Sequence, residues 1–112
     1  MKKKYIVKTK EEFNEIIRTT KPYKHKCFNI YIRKSNFNYS RYGISVPKKY
    51  GIAVQRNKIK RQLKEIIDSN QYLFKKNTDY IIIVRDSIKS KEYNEIEKLI
   101  QEIFIDIQNR GE

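Results

Sequence analysis

The chain is 112 residues long and carries 26 lysine or arginine residues against 13 aspartate or glutamate residues, a formal net charge of +13. This length predicts one domain, residues 1–112, with a modest core of its own, and the charge surplus opposes compaction and so indicates a polyanionic partner. The single cysteine, Cys27, excludes a disulfide framework and is expected to be half-buried. Since no apolar stretch is long enough for a signal peptide or a bilayer span, we expect a cytoplasmic protein that does not contact membranes.

The first predicted element is a helix over residues 10–18. Thr9 followed three residues later by Glu12 is the pattern of a capping box, in which the threonine side chain accepts a hydrogen bond from the first helical turn. The apolar stripe of this helix is short and consists of Phe13, Ile16 and Ile17. Residues 19–26 follow as a connector.

Two predicted strands come next, residues 28–33 and 41–46, each with apolar side chains at every second position. The polar turn at residues 35–40 predicts that they form a hairpin. Their apolar faces are Phe28, Ile30 and Ile32 in the first strand and Tyr42, Ile44 and Val46 in the second. If these faces cover the core, the opposite face is open and basic, and it carries Tyr31, Arg33, Arg41 and Ser45. Gly43 on that face either leaves room for the backbone of a ligand or marks a bulge.

The longest predicted helix, residues 52–69, has two adjoining stripes. The apolar stripe is Ile59, Leu63, Ile66 and Ile67, and beside it lies a stripe of hydrogen-bond donors: Arg56, Asn57, Lys60, Arg61 and Lys64. Four of the five donors are cations, and like charges one turn apart destabilise an isolated helix by roughly 0.2–0.5 kcal/mol per pair. Because no acid is interleaved, the pattern favours a polyanion as the source of counter-charge over an ordinary solvated face.

The last two predicted elements are a strand and a helix, and both contribute apolar side chains to the core. Residues 79–85 form a continuous apolar run, which fits a strand covered on both faces. Residues 91–109 form a helix with Ser90 as its N-cap. Its apolar positions recur at helical spacing and are Ile96, Leu99, Ile100, Ile103, Phe104 and Ile107. Because its outer face is acidic, we expect this helix to lie away from nucleic acid.

Charge is distributed unevenly along the chain. Residues 1–15 hold five basic and three acidic side chains, residues 16–64 hold fourteen basic ones and no acid, and residues 65–112 hold seven basic and ten acidic ones. Seven aromatic residues also lie in the acid-free block. Cations that hold phosphates and rings that stack on bases suit single-stranded nucleic acid. The alternative is that these rings serve core packing.

Groups that could act as catalysts are scarce in this sequence. His25 is the only histidine and lies among lysines in the connector, which is typical of a surface residue. Residues 16–64 offer no carboxylate for a metal site, and the three glycines form no phosphate-binding loop. We therefore expect a nucleic-acid binder without a catalytic residue, bound cofactor or small-molecule substrate of its own.

Residues 53–65 read Ala-Val-Gln-Arg-Asn-Lys-Ile-Lys-Arg-Gln-Leu-Lys-Glu, and they resemble the Arg-Asn-Arg signature of the protein subunit of bacterial ribonuclease P. The likeness extends over nearly the whole chain. It includes the first helix (residues 10–17), the first long strand (28–31), the Gly-hydrophobic-Ser-Val segment with paired basic residues (43–49) and the strand after the long helix (79–85). The chain departs from the family at Lys58 and Lys64, where arginine is common, and it lacks the usual glycine after the first helix. Lysine keeps the charge of arginine but loses its planar fork.

The resemblance implies an α+β fold, a two-layer sandwich of αβββαβα order with a mixed four-stranded sheet. It also implies a left-handed βαβ crossover around the signature helix, whereas general rules favour a right-handed connection. In this family a large RNA subunit with bound Mg²⁺ cleaves precursor tRNA at its 5′ side. The protein alone is therefore expected to be inactive and to bind no cofactor.

Roles for individual residues follow from the same resemblance. The surface for the ribonuclease P RNA would be Arg56, Asn57, Lys60, Arg61 and Lys64. The cleft for the 5′ leader of precursor tRNA would be lined or flanked by Phe13, Ile17, Phe28, Tyr31, Ser45, Lys48 and Lys49. The strand alternation selects Tyr31 and Ser45 independently, but it places Phe28 in the core.

Two other functions are the alternatives. A ribosomal-type RNA-binding protein would have similar charge and an open sheet but no role in cleavage. A helix-based DNA regulator is disfavoured, because the sequence shows no recognisable turn between two short helices.

Overall fold

The computed structural model describes residues 1–110. Along this part of the chain the α-helices and strands are α1 (Lys10–Thr19), β1 (Tyr23–Lys24), β2 (Phe28–Lys34), β3 (Arg41–Ser45), α2 (Ala53–Ser69), β4 (Thr78–Val84) and α3 (Tyr93–Asn109). The α+β class and the αβββαβα order that the resemblance implies are confirmed.

The sheet is organised around β4. Its strand order is β1-β2-β4-β3, with β2 antiparallel to both of its neighbours and β3 parallel to β4. The hairpin predicted between β2 and β3 is therefore wrong, because β4 lies between them. As the most apolar strand, β4 takes one of the two inner positions, where both of its edges are hydrogen-bonded and both of its faces can be covered. The connection from β3 to the parallel strand β4 is α2, and the hand of this crossover stays a prediction.

Helices α2 and α3 form one layer, which packs on one face of the sheet. The apolar stripe predicted on α2 is buried: Ile59 is 3% exposed, and Leu63, Ile66 and Ile67 are fully inaccessible. From α3 the core receives Ile96, Ile100, Ile103, Phe104 and Ile107, and from the sheet it receives Phe28, Ile30, Tyr42, Tyr80, Ile82 and Val84. These elements form the predicted sandwich.

Helix α1 lies on the other face of the sheet. There Ile16 and Ile81 are fully buried together with Val7, and Phe13, Ile17, Tyr31 and Ile83 pack around them. Ile81 and Ile82 are neighbours in β4 but face opposite clusters. This two-sided burial is the reason why the sequence of β4 is continuously apolar instead of alternating.

Four aromatic rings interlock at the centre of the larger core. The centroids of Tyr42, Phe74, Tyr80 and Phe104 lie 4.7–5.9 Å from those of their partners, mostly in edge-on arrangements. The Tyr42 hydroxyl lies 2.9 Å from the hydroxyl of Ser40, and the backbone N–H of Lys75 donates to the Tyr80 hydroxyl at 2.8 Å. Burial raises the pKa of both tyrosines above the ordinary value. Their hydroxyl groups are thus satisfied by hydrogen bonds as neutral groups.

The helix starts follow the predictions in one case and depart from them in another. The Thr9 side chain accepts a hydrogen bond from the Glu12 N–H at 3.1 Å, which confirms the N-cap of α1. The N-cap of α3 is Glu92 and not Ser90. Residues Asp86–Ser90 instead form a 3-10 turn in which the Ser90 hydroxyl donates to the carbonyl of Ser87 at 3.4 Å.

Cys27 also differs from its prediction as a half-buried residue. Its exposed fraction is 1%, and it belongs to the larger core. It directly precedes β2, and the backbone N–H of Arg85 at the end of β4 donates to its carbonyl at 2.9 Å. This bond extends the pairing of β2 and β4 by one step and draws Cys27 into the interior.

The buried and exposed faces of α3 supply a matched test of this packing. Ile103 is 3% exposed and Ile105 is 46% exposed. We expect Ile103→Ala to lower the free energy of unfolding by about 2–5 kcal/mol, because it leaves a cavity in the core, and Ile105→Ala to change it by less than about 0.5 kcal/mol. Urea denaturation of both variants measures the difference. Equal losses would contradict the assignment of the two faces.

Candidate nucleic-acid interface

The donor stripe of α2 lies at the protein surface. Its members are half-buried or exposed: Arg56, Asn57, Lys60, Arg61 and Lys64. The Arg56 Nε donates to the carbonyl of Gly51 at 3.1 Å, which holds this side chain against the first turn of the helix. Within residues 1–110, none of the four cations forms an ion pair with a carboxylate. Four positive charges are thus available along one side of α2.

The start of α2 also presents two apolar side chains that sequence reasoning did not single out. Ile52 is 68% exposed and Val54 is 74% exposed. Val54 falls outside the spacing of the apolar stripe, and Ile52 is the N-cap residue, one position before the helix begins at Ala53. An apolar tip therefore adjoins the cationic stripe.

The face of the sheet beneath α1 is built from three rows of neighbouring residues. One row is Arg33, Asp79 and Arg41, the next is Tyr31, Ile81 and Gly43, and the third is Asn29, Ile83 and Ser45. The sequence predicted that this face is open. The first two rows are instead covered by α1, and Arg41 is only 6% exposed. The face is covered because the short apolar stripe of α1 needs a partner and finds it in Ile81.

Gly43 is the point of closest approach between α1 and the sheet. A Cβ atom at this position would lie 2.6 Å from the Ile81 Cδ1 and 2.8 Å from the Phe13 Cε2, closer than real side chains approach. The space that glycine provides is thus filled by the Phe13 ring and not left for a ligand. The same contact brings the Phe13 ring close to the backbone of β3.

A groove remains at the third row, where α1 does not reach. Its volume is about 510 Å³, and its lining consists of Lys24, Asn29, Pro47, Lys49, Ile83, Val84, Arg85, Asp86 and Ser87. Ile83 joins this groove to the apolar cluster that contains Phe13, Ile17 and Tyr31. The groove therefore combines the apolar side chain of Ile83 with three cations, Lys24, Lys49 and Arg85, and one acid, Asp86.

Apart from Phe28, the residues predicted for the leader cleft fall into two groups. In the first group, Phe13, Ile17 and Tyr31 pack with Ile83 against the cluster that contains Ile81. In the second group, Ser45 pairs with Ile83, and Lys48 and Lys49 are exposed in the turn Lys48–Tyr50 that follows β3. Phe28 is on the opposite face of the sheet and has no accessible surface. Its placement in the cleft is therefore wrong, because strand alternation turns it towards α2 and α3.

Sequence reasoning missed five polar residues of the groove: Lys24, Asn29, Arg85, Asp86 and Ser87. Lys24 belongs to β1, a strand too short to show any alternation, and Arg85 follows the end of β4. Asn29 follows Phe28 in the alternation of β2 and so belongs to the opposite face of the sheet. Its position in the pairing with Ile83 became visible only when β4 was placed beside β2.

A buried ion network closes the opposite end of this face. The Arg41 guanidinium donates to Asp79 at 2.9 and 2.7 Å and to Glu12 of α1 at 3.0 and 3.1 Å. Arg33 donates to Glu15 at 3.1 Å and lies 3.6 Å from Asp79. The hydrogen bond to Asp79 is the largest of the effects that raise the pKa of Arg41, so the guanidinium stays charged. The first row of the sheet thus carries compensated charge.

Within residues 1–110, no three or more His, Cys, Asp or Glu side chains come together in a group that could hold a metal ion. No helix in this range is both long and apolar enough to span a bilayer. The Nδ1 of His25 accepts a hydrogen bond from the backbone N–H of Cys27 at 3.0 Å, which gives this histidine a structural partner in the turn before β2.

Comparison with known proteins identifies the family. The family model described as Ribonuclease P matches residues 1–108 of the chain. The chain belongs to the ribonuclease P protein family. It is 40% identical to the ribonuclease P protein component of Mycoplasma capricolum over 109 residues, which are 96% of this chain and 100% of that protein. It is 39% identical to the ribonuclease P protein component of Clostridium botulinum, with 89% of this chain and 90% of that protein covered.

Solved structures of ribonuclease P proteins share the fold. The Staphylococcus aureus protein superposes with a TM-score of 0.82 at 30% identity, over 93% of this chain and 94% of that one. The Thermotoga maritima protein superposes with a TM-score of 0.76 at 28% identity, over 82% of this chain and 87% of that one. The chain is thus a protein subunit of ribonuclease P, an endoribonuclease of tRNA 5′ processing in which the RNA subunit has the catalytic role.

The tight contact at Gly43 generates a test of how α1 is seated. We expect Gly43→Ala to lower the free energy of unfolding by about 1–3 kcal/mol, because the methyl group displaces the Phe13 ring or Ile81. In the double variant Gly43→Ala/Phe13→Leu the loss should be smaller than the sum of the two single losses. Urea denaturation measures all three variants, with Ser45→Ala on the same strand and face as the control. A Gly43→Ala variant as stable as the unmodified protein would contradict the packing.

Proposed function

We propose that this subunit uses two separate surfaces for two RNAs. The donor stripe of α2 binds the ribonuclease P RNA, and the groove beside α1 binds the 5′ leader of precursor tRNA. The observation that carries the proposal is the run of four cations on α2 without a carboxylate partner in residues 1–110. RNA phosphates would supply the missing counter-charge.

The geometry of α2 supports its assignment to the large RNA subunit. A stripe of cations spaced one turn apart along a 17-residue helix can follow a line of phosphates, and each neutralised phosphate releases bound counterions. The exposed Ile52 and Val54 at the start of α2 add an apolar surface against which an unstacked base can pack. Lysine at positions 58 and 64 gives point charges where arginine would give a bidentate fork.

The side chains in and beside the groove favour a single-stranded leader as its ligand. Phe13, Ile17 and Tyr31 belong to the apolar cluster that Ile83 joins to the groove, and Lys48 and Lys49 lie close by along the chain from Ser45. Aromatic walls and cationic rims bind flexible single strands because rings stack on bases and cations hold the backbone. We add three residues of the groove lining to those proposed to bind the leader: Lys24, Asn29 and Arg85. We remove Phe28, because it is buried on the opposite face of the sheet.

In this proposal the protein contributes binding energy and position, and the reaction takes place at Mg²⁺ ions held by the RNA subunit. The subunit works in the cytoplasm on newly made precursor tRNA. By holding the leader, it would add affinity for immature tRNA that the mature product lacks, so that substrate and product are distinguished by a segment remote from the cleavage chemistry.

Separate surfaces predict separable variants. We expect Lys60→Ala and Arg61→Ala each to weaken assembly with a bacterial ribonuclease P RNA by about fivefold, because each removes a phosphate contact. We expect Phe13→Ala to weaken holoenzyme affinity for leader-bearing precursor tRNA by about tenfold, because it removes a ring from the apolar cluster beside the groove. Equilibrium binding measures both quantities for every variant.

Lys98→Ala is the matched control for loss of one charge, since Lys98 is exposed on α3, away from both surfaces. It should change neither affinity by more than about twofold. If Lys60→Ala, Arg61→Ala and Phe13→Ala changed both affinities equally, the two-surface proposal would be overturned.

A further inference from the structure

We propose that Glu12 and Arg41 form a positioning pair that fixes the orientation of α1 on the sheet and thereby sets the shape of the leader groove. The inference rests on the proposed function, because it assigns to these residues the placement of the α1 side chains beside the leader groove. Neither residue needs to contact RNA. Their effect reaches the leader through Phe13 and Ile17, which α1 presents.

The bonds form a continuous path from the centre of the sheet to the helix. Asp79 of β4 is fully buried and receives two hydrogen bonds from the guanidinium of Arg41 on the neighbouring strand β3. The other side of the same guanidinium binds both carboxylate oxygens of Glu12, at 3.0 and 3.1 Å. The Phe37 ring lies 4.4 Å from the guanidinium carbon. Arg41 is thus held by three groups and has no freedom to follow a moving helix.

Apolar packing alone leaves α1 poorly oriented. Ile16 is the only residue of this helix that is buried, whereas Phe13 and Ile17 are half-buried. Hydrophobic contact has no preferred direction, so one buried side chain permits rotation of the helix about its contact point. A bidentate pair between a guanidinium and a carboxylate fixes both distance and angle. Glu12 directly precedes Phe13 in α1. Its pair with Arg41 therefore fixes the orientation of α1 on the sheet, which apolar packing alone does not fix.

The ion network is better explained as a means of orienting α1 than as a source of folding stability. Burying an ion pair removes both groups from water, and replacement of such pairs by apolar residues is often neutral or stabilising. Here a fully buried carboxylate and a guanidinium that is 6% exposed persist directly beneath the helix whose Phe13 and Ile17 pack in the apolar cluster beside the groove. Glu15 repeats the arrangement one turn later through Arg33. Two pairs on one helix define its angle across the strands.

A comparison of two adjacent glutamates separates positioning from charge. Glu11 is exposed, and within residues 1–110 its side chain has no ion pair or hydrogen bond, whereas Glu12 binds Arg41. Glu11→Gln and Glu12→Gln remove the same negative charge from the same turn of α1. If charge alone matters, both variants should strengthen RNA binding slightly, because repulsion of phosphates decreases. If Glu12 positions α1, its substitution should instead weaken leader binding.

The experiment measures the affinity of a reconstituted holoenzyme, formed with a bacterial ribonuclease P RNA, for precursor tRNA with and without its 5′ leader. We expect Glu12→Gln to weaken affinity for the leader-bearing substrate by about five- to tenfold, and Glu11→Gln to leave it unchanged or strengthen it by up to about twofold. Neither variant should weaken affinity for the leader-free substrate or assembly with the RNA subunit, which also shows that both variants are folded. Glu12→Asp keeps the charge but shortens the side chain, and it should weaken leader binding as Glu12→Gln does.

The outcomes distinguish this inference from the proposed function on which it rests. If the unmodified protein gives no leader-dependent affinity, the leader groove itself is wrong and the inference falls with it. If the unmodified protein gives leader-dependent affinity and Glu12→Gln behaves as Glu11→Gln does, the groove stands and the positioning role is overturned. The same holds if Glu12→Gln weakens leader-bearing and leader-free substrates equally.

Discussion

The rest of this structure depends on the burial of β4 on both faces. Ile82 and Ile81 point into separate clusters on opposite sides of the sheet, so each face needs a cover. On one face the cover is α2 with α3, and α2 is also the connection between the parallel strands β3 and β4. On the other face the cover is α1, whose single fully buried residue is Ile16. The donor stripe lies on one of these covering helices, and the proposed leader groove lies beside another.

The same strand governs how charge is used. Asp79 lies in β4 with no access to solvent, and a buried carboxylate requires cationic or hydrogen-bonding partners. Arg33 and Arg41 on the flanking strands provide them. The other basic side chains of residues 16–64 have no carboxylate within ion-pair distance in the described part of the chain. The charge surplus is therefore divided between a compensated cluster under α1 and an uncompensated surface that includes the stripe of α2.

The elements that were predictable are those whose own residues carry a period. The stripes of α2 and α3, the alternation in β2 and β3, and the Thr9 cap need only local information, and each is found where it was expected. The α2 donor stripe follows from the same periodicity.

Features that depend on distant partners were out of reach. The insertion of β4 between β2 and β3 depends on residues that are far apart in the sequence. The polar turn between β2 and β3 predicts instead that these two strands pair with each other. The cover of α1 over Gly43 and Arg41 is another: from sequence, both residues belonged to an open face, and Glu12 is what brings Arg41 under the helix. Phe28 shows the limit of residue-by-residue transfer from a family, since its own strand alternation placed it correctly in the core.

The central claim is that one protein assists an RNA catalyst by holding the leader of its substrate. The most direct test is single-turnover cleavage of a precursor tRNA by a bacterial ribonuclease P RNA at limiting Mg²⁺, with and without this protein, on substrates with a long leader and with a leader of one nucleotide. We predict a large gain in cleavage at subsaturating enzyme for the long leader and a much smaller gain for the short one. Equal gains for the two substrates, or no gain while the protein still binds the RNA tightly, would contradict the account.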